Sequence, residues 1–468
     1  MTHLTRRRFM SLSAASVIAG PHISAHARNN PEMFDTIIIG AGLSGLSAAH
    51  RLIERGVTNI LILEARDRLG GRIYSQQVEG LSLEAGAQWV GPGQTRLLAL
   101  ADTLNIERYP TFMTGKSIIR WMRRNHVISK EETFAQSTAL RTAIAQLDRI
   151  AATVPLSSPW NYPGAKKIDD LSVAAWAKQS GYTGPPYQEL LTETIDALGG
   201  SPAMSALDYL WSVRACGGHD SINRFEGGAQ DSRFIGGPSA IIEMMGARMY
   251  DHIRVDAPVT SIRYGSDTVT VNVEDLALQA RKCIIALSPL DMQRIEFTPG
   301  LPLDRRGLNQ NWRMEPGFKA HIIYKTPFWR SGGLSGLAVG HKHIEASLDN
   351  TPALNTEGYG ALLLFLSKKA ADLSPGQRYK SILKELKSFF GKEAMSPIGF
   401  SEMNWANDPW SGGCTSPLPP GILTQYGPAL FKNIGPLHFA GTEAATAWRG
   451  YMEGAVRAGE RAADETQS

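Results

Sequence analysis

Residues 34–39 (Phe-Asp-Thr-Ile-Ile-Ile) make a β-branched apolar run closed by glycine, the pattern of a strand buried on both faces of a parallel sheet. Residues 46–55 continue with helical character and stop at Gly56, and residues 59–64 predict a second strand. Between 109 and 225 the apolar positions recur at helical spacing, with Pro/Gly breaks at 159–164 and 184–186. Residues 255–262, 281–287 and 322–324 predict further strands, and 207–213 a helix. There is no internal repeat and no low-complexity tract. Strand, helix and strand in succession at the front of the chain place it in the α/β class.

Composition narrows the function classes. The 468 residues are 43% hydrophobic and 20% charged, enough to build a core and too apolar for a disordered chain. Lys and Arg number 48 against 44 acids, a net charge of +4, so nucleic acid is a poor partner. Three cysteines do not make a disulfide scaffold or a zinc cluster, and no metal site is expected.

The first residues read as an address. Arg6 and Arg7 precede a mildly apolar run from Ser11 to about Ile23, which ends in Ala25-His26-Ala27. That order predicts a twin-arginine export signal over residues 1–27, cut after Ala27, and a periplasmic mature protein without a membrane span.

Between the first two strands lies Gly40-Ala41-Gly42-Leu43-Ser44-Gly45, with Glu64 19 positions beyond Gly45. Gly40 allows the tight turn, Gly42 lets backbone approach a pyrophosphate, and Gly45 lets the helix pack on the strand. The helix N-terminus then faces the phosphates, and Glu64 can accept hydrogen bonds from a ribose diol while repelling a 2′-phosphate. The fingerprint alone leaves NAD and FAD open.

The next segments separate them. Glu64-Ala65-Arg66-Asp67-Arg68-Leu69-Gly70-Gly71-Arg72 follows the second strand, and Gly86-Ala87-Gln88-Trp89 comes shortly after. Near the other terminus stand Gly441-Thr442-Glu443 and Trp448-Arg449-Gly450-Tyr451-Met452, leading into a small-residue helix. Together these blocks, spread from Asp35 to Ala463, resemble the flavin-containing amine oxidases, the monoamine oxidase family. The resemblance implies a two-domain fold: a discontinuous Rossmann-like FAD-binding domain (34–109, 226–300 and 405–465) and an α+β substrate domain (110–225 and 301–404). It implies that FAD lies against Gly70, Gly71, Arg72, Gly86, Ala87, Gln88 and Trp89, against the backbone of Val259 at the adenine, and against Gly441, Thr442, Glu443, Tyr451 and Met452.

Three further residues carry roles implied by the resemblance. Cys414, presented by Gly412-Gly413, matches a cysteine that holds FAD through a thioether to the 8α-methyl. Lys319 matches a lysine that reaches the flavin N5 through a water and assists oxygen reduction, and Trp405 matches an active-site aromatic. Tyr451 matches one wall of an aromatic cage, but Thr415 stands where relatives have the other tyrosine; Trp448 is a candidate for the missing wall. Ile222 and Gln230 fall where relatives place a cavity gate and a cavity amide, and Asp196 is a candidate partner for the distal cation of a diamine. Cys216 and Cys283 are expected to be free and buried.

The implied reaction is oxidation of an amine carbon–nitrogen bond. A neutral amine passes hydride equivalents from its α-carbon to the flavin, the iminium hydrolyses to aldehyde and ammonia, and dioxygen is reduced to hydrogen peroxide. The first expectation is a primary aryl-alkyl amine; a diamine, a secondary alkaloid amine, or a dehydrogenase that passes electrons to a cytochrome or quinone are alternatives. An L-amino-acid oxidase needs an arginine clamp that no motif supplies. A homodimer and the twin-arginine export machinery complete the expected partners.

Overall fold

The computed structural model describes residues 33–134 and 136–467. The predicted export signal lies outside them. Among the described residues no helix is long and apolar enough to cross a membrane.

The strand Met33–Ile39 is central to an eight-stranded sheet. It pairs in parallel with Ile60–Leu63 on one side and with Leu276–Ile285 on the other. Leu276–Ile285 is ten residues long and is shared. Its first half pairs antiparallel with Val269–Val273, and its last three residues pair in parallel with Leu437–Phe439. Three remote stretches of chain thus meet in one sheet. Ile37, Ile38 and Ile39 are buried, as the β-branched run predicts. Ile38 packs with the helices Leu43–Glu54, Ser239–Arg248 and Met452–Glu465, while Ile37 and Ile39 pack with Val271, Cys283 and Phe439 on the other face.

The first and last helices touch at backbone distance. A Cβ on Gly459 would lie 2.2 Å from the Ser44 carbonyl oxygen, and one on Gly45 would lie 1.9 Å from that of Gly40. Ser44 Oγ also accepts from the Gly441 amide at 2.9 Å. Small residues at these positions let the two chain ends close on each other.

A second sheet of seven strands runs in the order Gly399–Asn404, Phe318–Tyr324, Gly360–Leu366, Ile344–Asp349, Leu334–Val339, Lys116–Trp121 and Arg124–Ile128. Phe318, Ala320, Ile322 and Tyr324 pack with Ile382, Leu386 and Phe389 of the helix Pro375–Phe390. Alternation therefore turns Lys319, His321 and Ile323 to the opposite face, where Ile323 meets Leu81 and Leu83 of the hairpin strand Leu81–Glu84. A helical layer that includes Thr138–Ala151, Pro185–Ala197 and Ala206–Ala215 packs around Tyr209, Leu210 and Trp211.

Three sequence expectations are corrected. The stretch from 109 is not helical at its start: Lys116–Trp121 and Arg124–Ile128 form a hairpin of the second sheet. Its turn residues Met122 and Arg123 both take positive φ, +47° and +64°, without the Asn-Gly signal that marks such turns, so the hairpin is hidden in the sequence. The strand expected at 255–262 is divided into Ile253–Arg254 and Val259–Tyr264, because Asp256 at φ +50° breaks the run. The strand expected over 322–324 extends back to Phe318 and so includes Lys319. Cys216 and Cys283 are free and buried, as expected.

The contact between the end helices has a measurable consequence. Gly459→Leu forces a side chain into the Ser44 backbone and should cost roughly 1–3 kcal/mol or more. Thermal unfolding followed by circular dichroism should show a clearly lower Tm; an unchanged Tm contradicts the close approach.

Candidate active site

The glycine fingerprint and the Gly70-Gly71 loop pair with each other. Gly42 and Gly70 form a parallel bridge, and the Gly70 amide donates to the Ala41 carbonyl at 2.9 Å. Gly70 and Gly71 take φ of +97° and +58°, conformations that favour glycine. The helix Leu43–Glu54 has no side-chain cap and no acid in its first turn, so its amides are left for an outside anion. A Cβ on Gly42 would make only ordinary contacts with the second glycine loop, 3.9 Å from the Gly71 Cα and 4.0 Å from the Gly70 carbonyl oxygen.

Glu64 ends the second strand and is buried. It accepts from the Ala41 amide at 2.8 Å and the Arg66 amide at 3.0 Å. Arg66 continues to Asp408 at 2.5 Å and Ser411 at 2.8 Å. Arg66 thereby ties the strand tip to the loop that carries Cys414. The Arg66 and Glu64 carbonyls also accept the amides of Asp256 and Ala257, which brings the backbone near Val259 to the same edge. Ala65 lies between Glu64 and Arg66, so it shares this edge through the backbone.

Arg72 joins both chain ends. It donates to Glu443 Oε1 at 2.7 Å and to the Cys414 carbonyl at 3.0 Å. Its own carbonyl accepts the Ala87 amide, and a Cβ on Gly86 would lie 2.0 Å from it. Trp405 donates its indole N–H to the Ala85 carbonyl at 2.9 Å and stands 3.1 Å from the same Gly86 Cβ position. Cys414 packs where Gly317 has no side chain, its Sγ 3.1 Å from that Cβ position. Cys414 is the one half-buried cysteine of three. Burial raises its thiol pKa, while Arg72 and Lys319 pull it back.

Lys319 Nζ donates to the Gly86 carbonyl at 2.7 Å and to Gln88 Oε1 at 3.2 Å. It lies 5.2 Å from the Trp89 ring centroid and 5.6 Å from that of Phe365. Burial lowers its pKa to about 8. Arg72, Gly86, Gln88, Trp89, Lys319, Trp405 and Cys414, seven residues from four remote stretches, are thus one cluster.

Thr442 Oγ1 donates to the Tyr451 carbonyl at 2.7 Å and accepts the Gly450 amide, which closes the loop between them. Met452 begins the last helix, buried against the first sheet. Trp448, at φ +52°, stands edge-on to Tyr451 with ring centroids 5.1 Å apart. Arg449 pairs with buried Asp208 and with Ser212, anchoring this loop to the helix Ala206–Ala215. Thr415 donates to the Gly199 carbonyl at 2.8 Å. A cavity of about 100 Å³ lies between these parts, lined by Ala197, Leu198, Met204, Thr415, Pro417 and Tyr451 among others.

Ile222 and Gln230 are not among the residues that line this cavity. Ile222 is fully buried in the helical layer. Gln230 folds back on it: the amide nitrogen, in the orientation that satisfies it, donates to the Ile222 and Arg224 carbonyls. Asp196 is exposed, and the lining begins at its neighbour Ala197. Sequence reasoning missed Glu84, Arg233, Asn350, Asp408 and Gly317. Glu84 was the most legible of them, an acid ending an otherwise regular strand, but nothing along the chain pairs it with Arg233.

Several buried polar atoms find no protein partner among the described residues: Glu443 Oε2, the Tyr451 hydroxyl and the Trp89 indole N–H. Such groups are costly unless something else satisfies them. With the left-handed Gly70-Gly71 loop and the uncapped helix, they fit a long cofactor carrying a diphosphate and a polar ring system.

Comparison with known proteins agrees. Residues 43–466 match the family described as flavin containing amine oxidoreductase. The flavin-containing amine oxidase A of Bos taurus is 33% identical over 458 residues, covering 93% of this chain and 85% of its own. A putrescine oxidase structure with putrescine bound has a TM-score of 0.86 at 28% identity, covering 93% of this chain and 99% of that one. Cyclohexylamine oxidase from Brevibacterium oxydans IH-35A has a TM-score of 0.85 at 31% identity, with 93% and 99% covered. A fingerprint at one end, a flavin signature at the other, and a cavity between them therefore belong to a FAD-dependent amine oxidase, a member of the flavin-containing amine oxidase family.

Proposed function

We propose that this chain oxidises a primary aryl-alkyl amine to the aldehyde and ammonia and reduces dioxygen to hydrogen peroxide. The observation that carries this reading is the cavity beside Tyr451, lined by apolar Ala197, Leu198, Met204 and Pro417 and by polar Ser212, Thr415, Ser416 and the Asp208–Arg449 pair. The Asp208 carboxylate is already taken by Arg449, so this lining holds no free counter-charge for an ammonium, and the substrate enters as the neutral amine. FAD, when bound, accepts the hydride equivalents and passes electrons to dioxygen. The chain's own residues bind and orient: the Gly42 loop, Gly70, Gly71 and Arg72 serve the diphosphate, and Glu64 the ribose diol. Tyr451 presents its ring to the amine. Its hydroxyl pKa is raised well above 10 by burial, so it stays neutral. Thr415 does not rebuild the aromatic cage, because its hydroxyl is spent on Gly199, and Trp448 supports Tyr451 edge-on rather than forming a second parallel wall. Lys319 supplies a cation to the cofactor's reactive edge.

A diamine is the second reading, favoured by the likeness to putrescine oxidase. A panel of phenethylamine, tyramine and putrescine separates the two. The expected result is anaerobic bleaching of the flavin by the aryl-alkyl amines, and peroxide once air is admitted. Lys319→Met should leave bleaching nearly intact and slow the air step about 100-fold. With Lys319 at a pKa of about 8, the wild-type air step should fall as pH rises through 8, where the ammonium is lost. Bleaching by putrescine alone overturns the first reading, and bleaching by none overturns both.

Cys414 is proposed to carry FAD through a thioether to the 8α-methyl. Its partial exposure, the space left by Gly317 and the two nearby cations support this. Acid-precipitated wild-type protein should give a yellow pellet and Cys414→Ala a colourless one. A colourless wild-type pellet rejects the bond and leaves FAD binding standing.

Export by the twin-arginine route, which delivers folded protein to the periplasm, rests on residues 1–27. Replacing Arg6 and Arg7 by Lys should retain the chain in the cytoplasm; undiminished periplasmic yield rejects the route.

A further inference from the structure

Behind Lys319 runs a row of buried polar side chains. Lys319 Nζ donates to Gln88 Oε1 at 3.2 Å, Gln88 Nε2 donates to Asn350 Oδ1 at 2.5 Å, and Asn350 Nδ2 donates to Glu84 Oε2 at 3.4 Å. The same carboxylate oxygen accepts from Arg233 at 2.7 Å. Asn350 is 0% exposed, Gln88 and Glu84 3%, and Arg233 2%, so water does not stand in for any link.

Every donor in this row points the same way, from the ammonium towards the carboxylate. A turned Gln88 amide would set its NH2 against the ammonium and its carbonyl against the Asn350 carbonyl, losing both bonds. Each member therefore fixes the orientation of the next, and aligned amide dipoles polarise one another in a medium of low dielectric. The Asn350 main chain is itself held, its backbone N–H donating to the Ala361 carbonyl at 2.8 Å. An ammonium has three hydrogens. Two of those on Lys319 are taken by Gly86 and Gln88, and the third has no acceptor among the described residues.

We propose that Asn350 and Gln88 are positioning residues that couple Lys319 to the Glu84–Arg233 ion pair, holding the ammonium in place with its remaining N–H free for the cofactor side. This rests on the reading of Lys319 as the cation at the flavin. The charged and titratable groups facing Lys319 are Glu84 and Arg233 through the row, Cys414 from the loop opposite, and His321 on its own strand. Glu84 favours the ammonium and Arg233 opposes it, while Cys414 carries no charge once bonded to FAD and burial keeps His321 neutral, with a pKa of about 3. The row is thus the route by which one carboxylate offsets the burial of a cation that it does not touch.

The test uses the flavin-loaded protein and reads the visible flavin spectrum against pH, with no substrate present. A wild-type titration near pH 8 that Lys319→Met abolishes is expected. Asn350→Leu removes the link and should lower the proton affinity of Lys319 about tenfold. Asn350→Asp keeps the shape, and its carboxyl, held protonated against Glu84, still accepts from Gln88 and donates to Glu84, so this variant's titration should stay at the wild-type pH. A fall in one variant that the isosteric one restores does not arise from general loss of packing. A titration at the wild-type pH in Asn350→Leu, an equal fall in both variants, or no titration dependent on Lys319 overturns the coupling. Failure of the amine-oxidation reading is seen separately, as wild-type flavin that no amine bleaches.

Discussion

The structure depends on one strand being shared. Leu276–Ile285 gives one edge to Met33–Ile39 and divides the other between Val269–Val273 and Leu437–Phe439. Because it does so, the fingerprint near one terminus and the signature near the other reach the same end of the same sheet. Ser44 and Gly459 then close the gap at backbone distance. Parallel pairing of this kind buries both faces of a strand, which is why residues 37–39 are three isoleucines in a row.

Buried charge pairs hold the parts around this joint. Arg72–Glu443 bridges the two chain ends, Arg449–Asp208 fixes the loop of Tyr451 to the helical layer, and Arg233 pairs with Glu84 beneath the Lys319 face. Pairs like these contribute little net stability, since desolvation consumes most of the attraction, but losing one partner leaves an uncompensated charge. Their consequence is positional. Each joins segments remote in the chain, and each lies within two residues of a group assigned to the cofactor or the cavity.

The cavity beside Tyr451 mixes apolar side chains with Ser212, Ser416 and the Asp208–Arg449 pair. Lys319 lies outside that lining, flanked by two aromatic rings and bonded to one carbonyl and one amide. A cation so placed keeps a depressed proton affinity and can respond to neutral pH, which a solvated lysine would not.

Much of this was legible along the chain. Gly40, Gly42, Gly45 and Glu64 could be read because their roles are local: a turn, a close approach and an acid one strand away. The C-terminal block was legible through its resemblance to the family's flavin-binding segments. The surroundings of Ile222 and Gln230 were not legible, because a cavity wall is defined by what faces it: Ile222 packs in the helical layer and the Gln230 amide bonds back to its carbonyl. The hairpin of Met122 and Arg123 was hidden because its turn adopts left-handed backbone without glycine or asparagine. By itself the sequence determined a dinucleotide-binding α/β fold, through short-range backbone geometry and fixed spacing, and the resemblance of its motifs to a known family carried FAD and the amine chemistry. Only the tertiary structure decided that Thr415 faces Gly199, that Asn350 stands between Gln88 and Glu84, and which face of its strand Lys319 occupies relative to them, because those contacts join residues hundreds of positions apart.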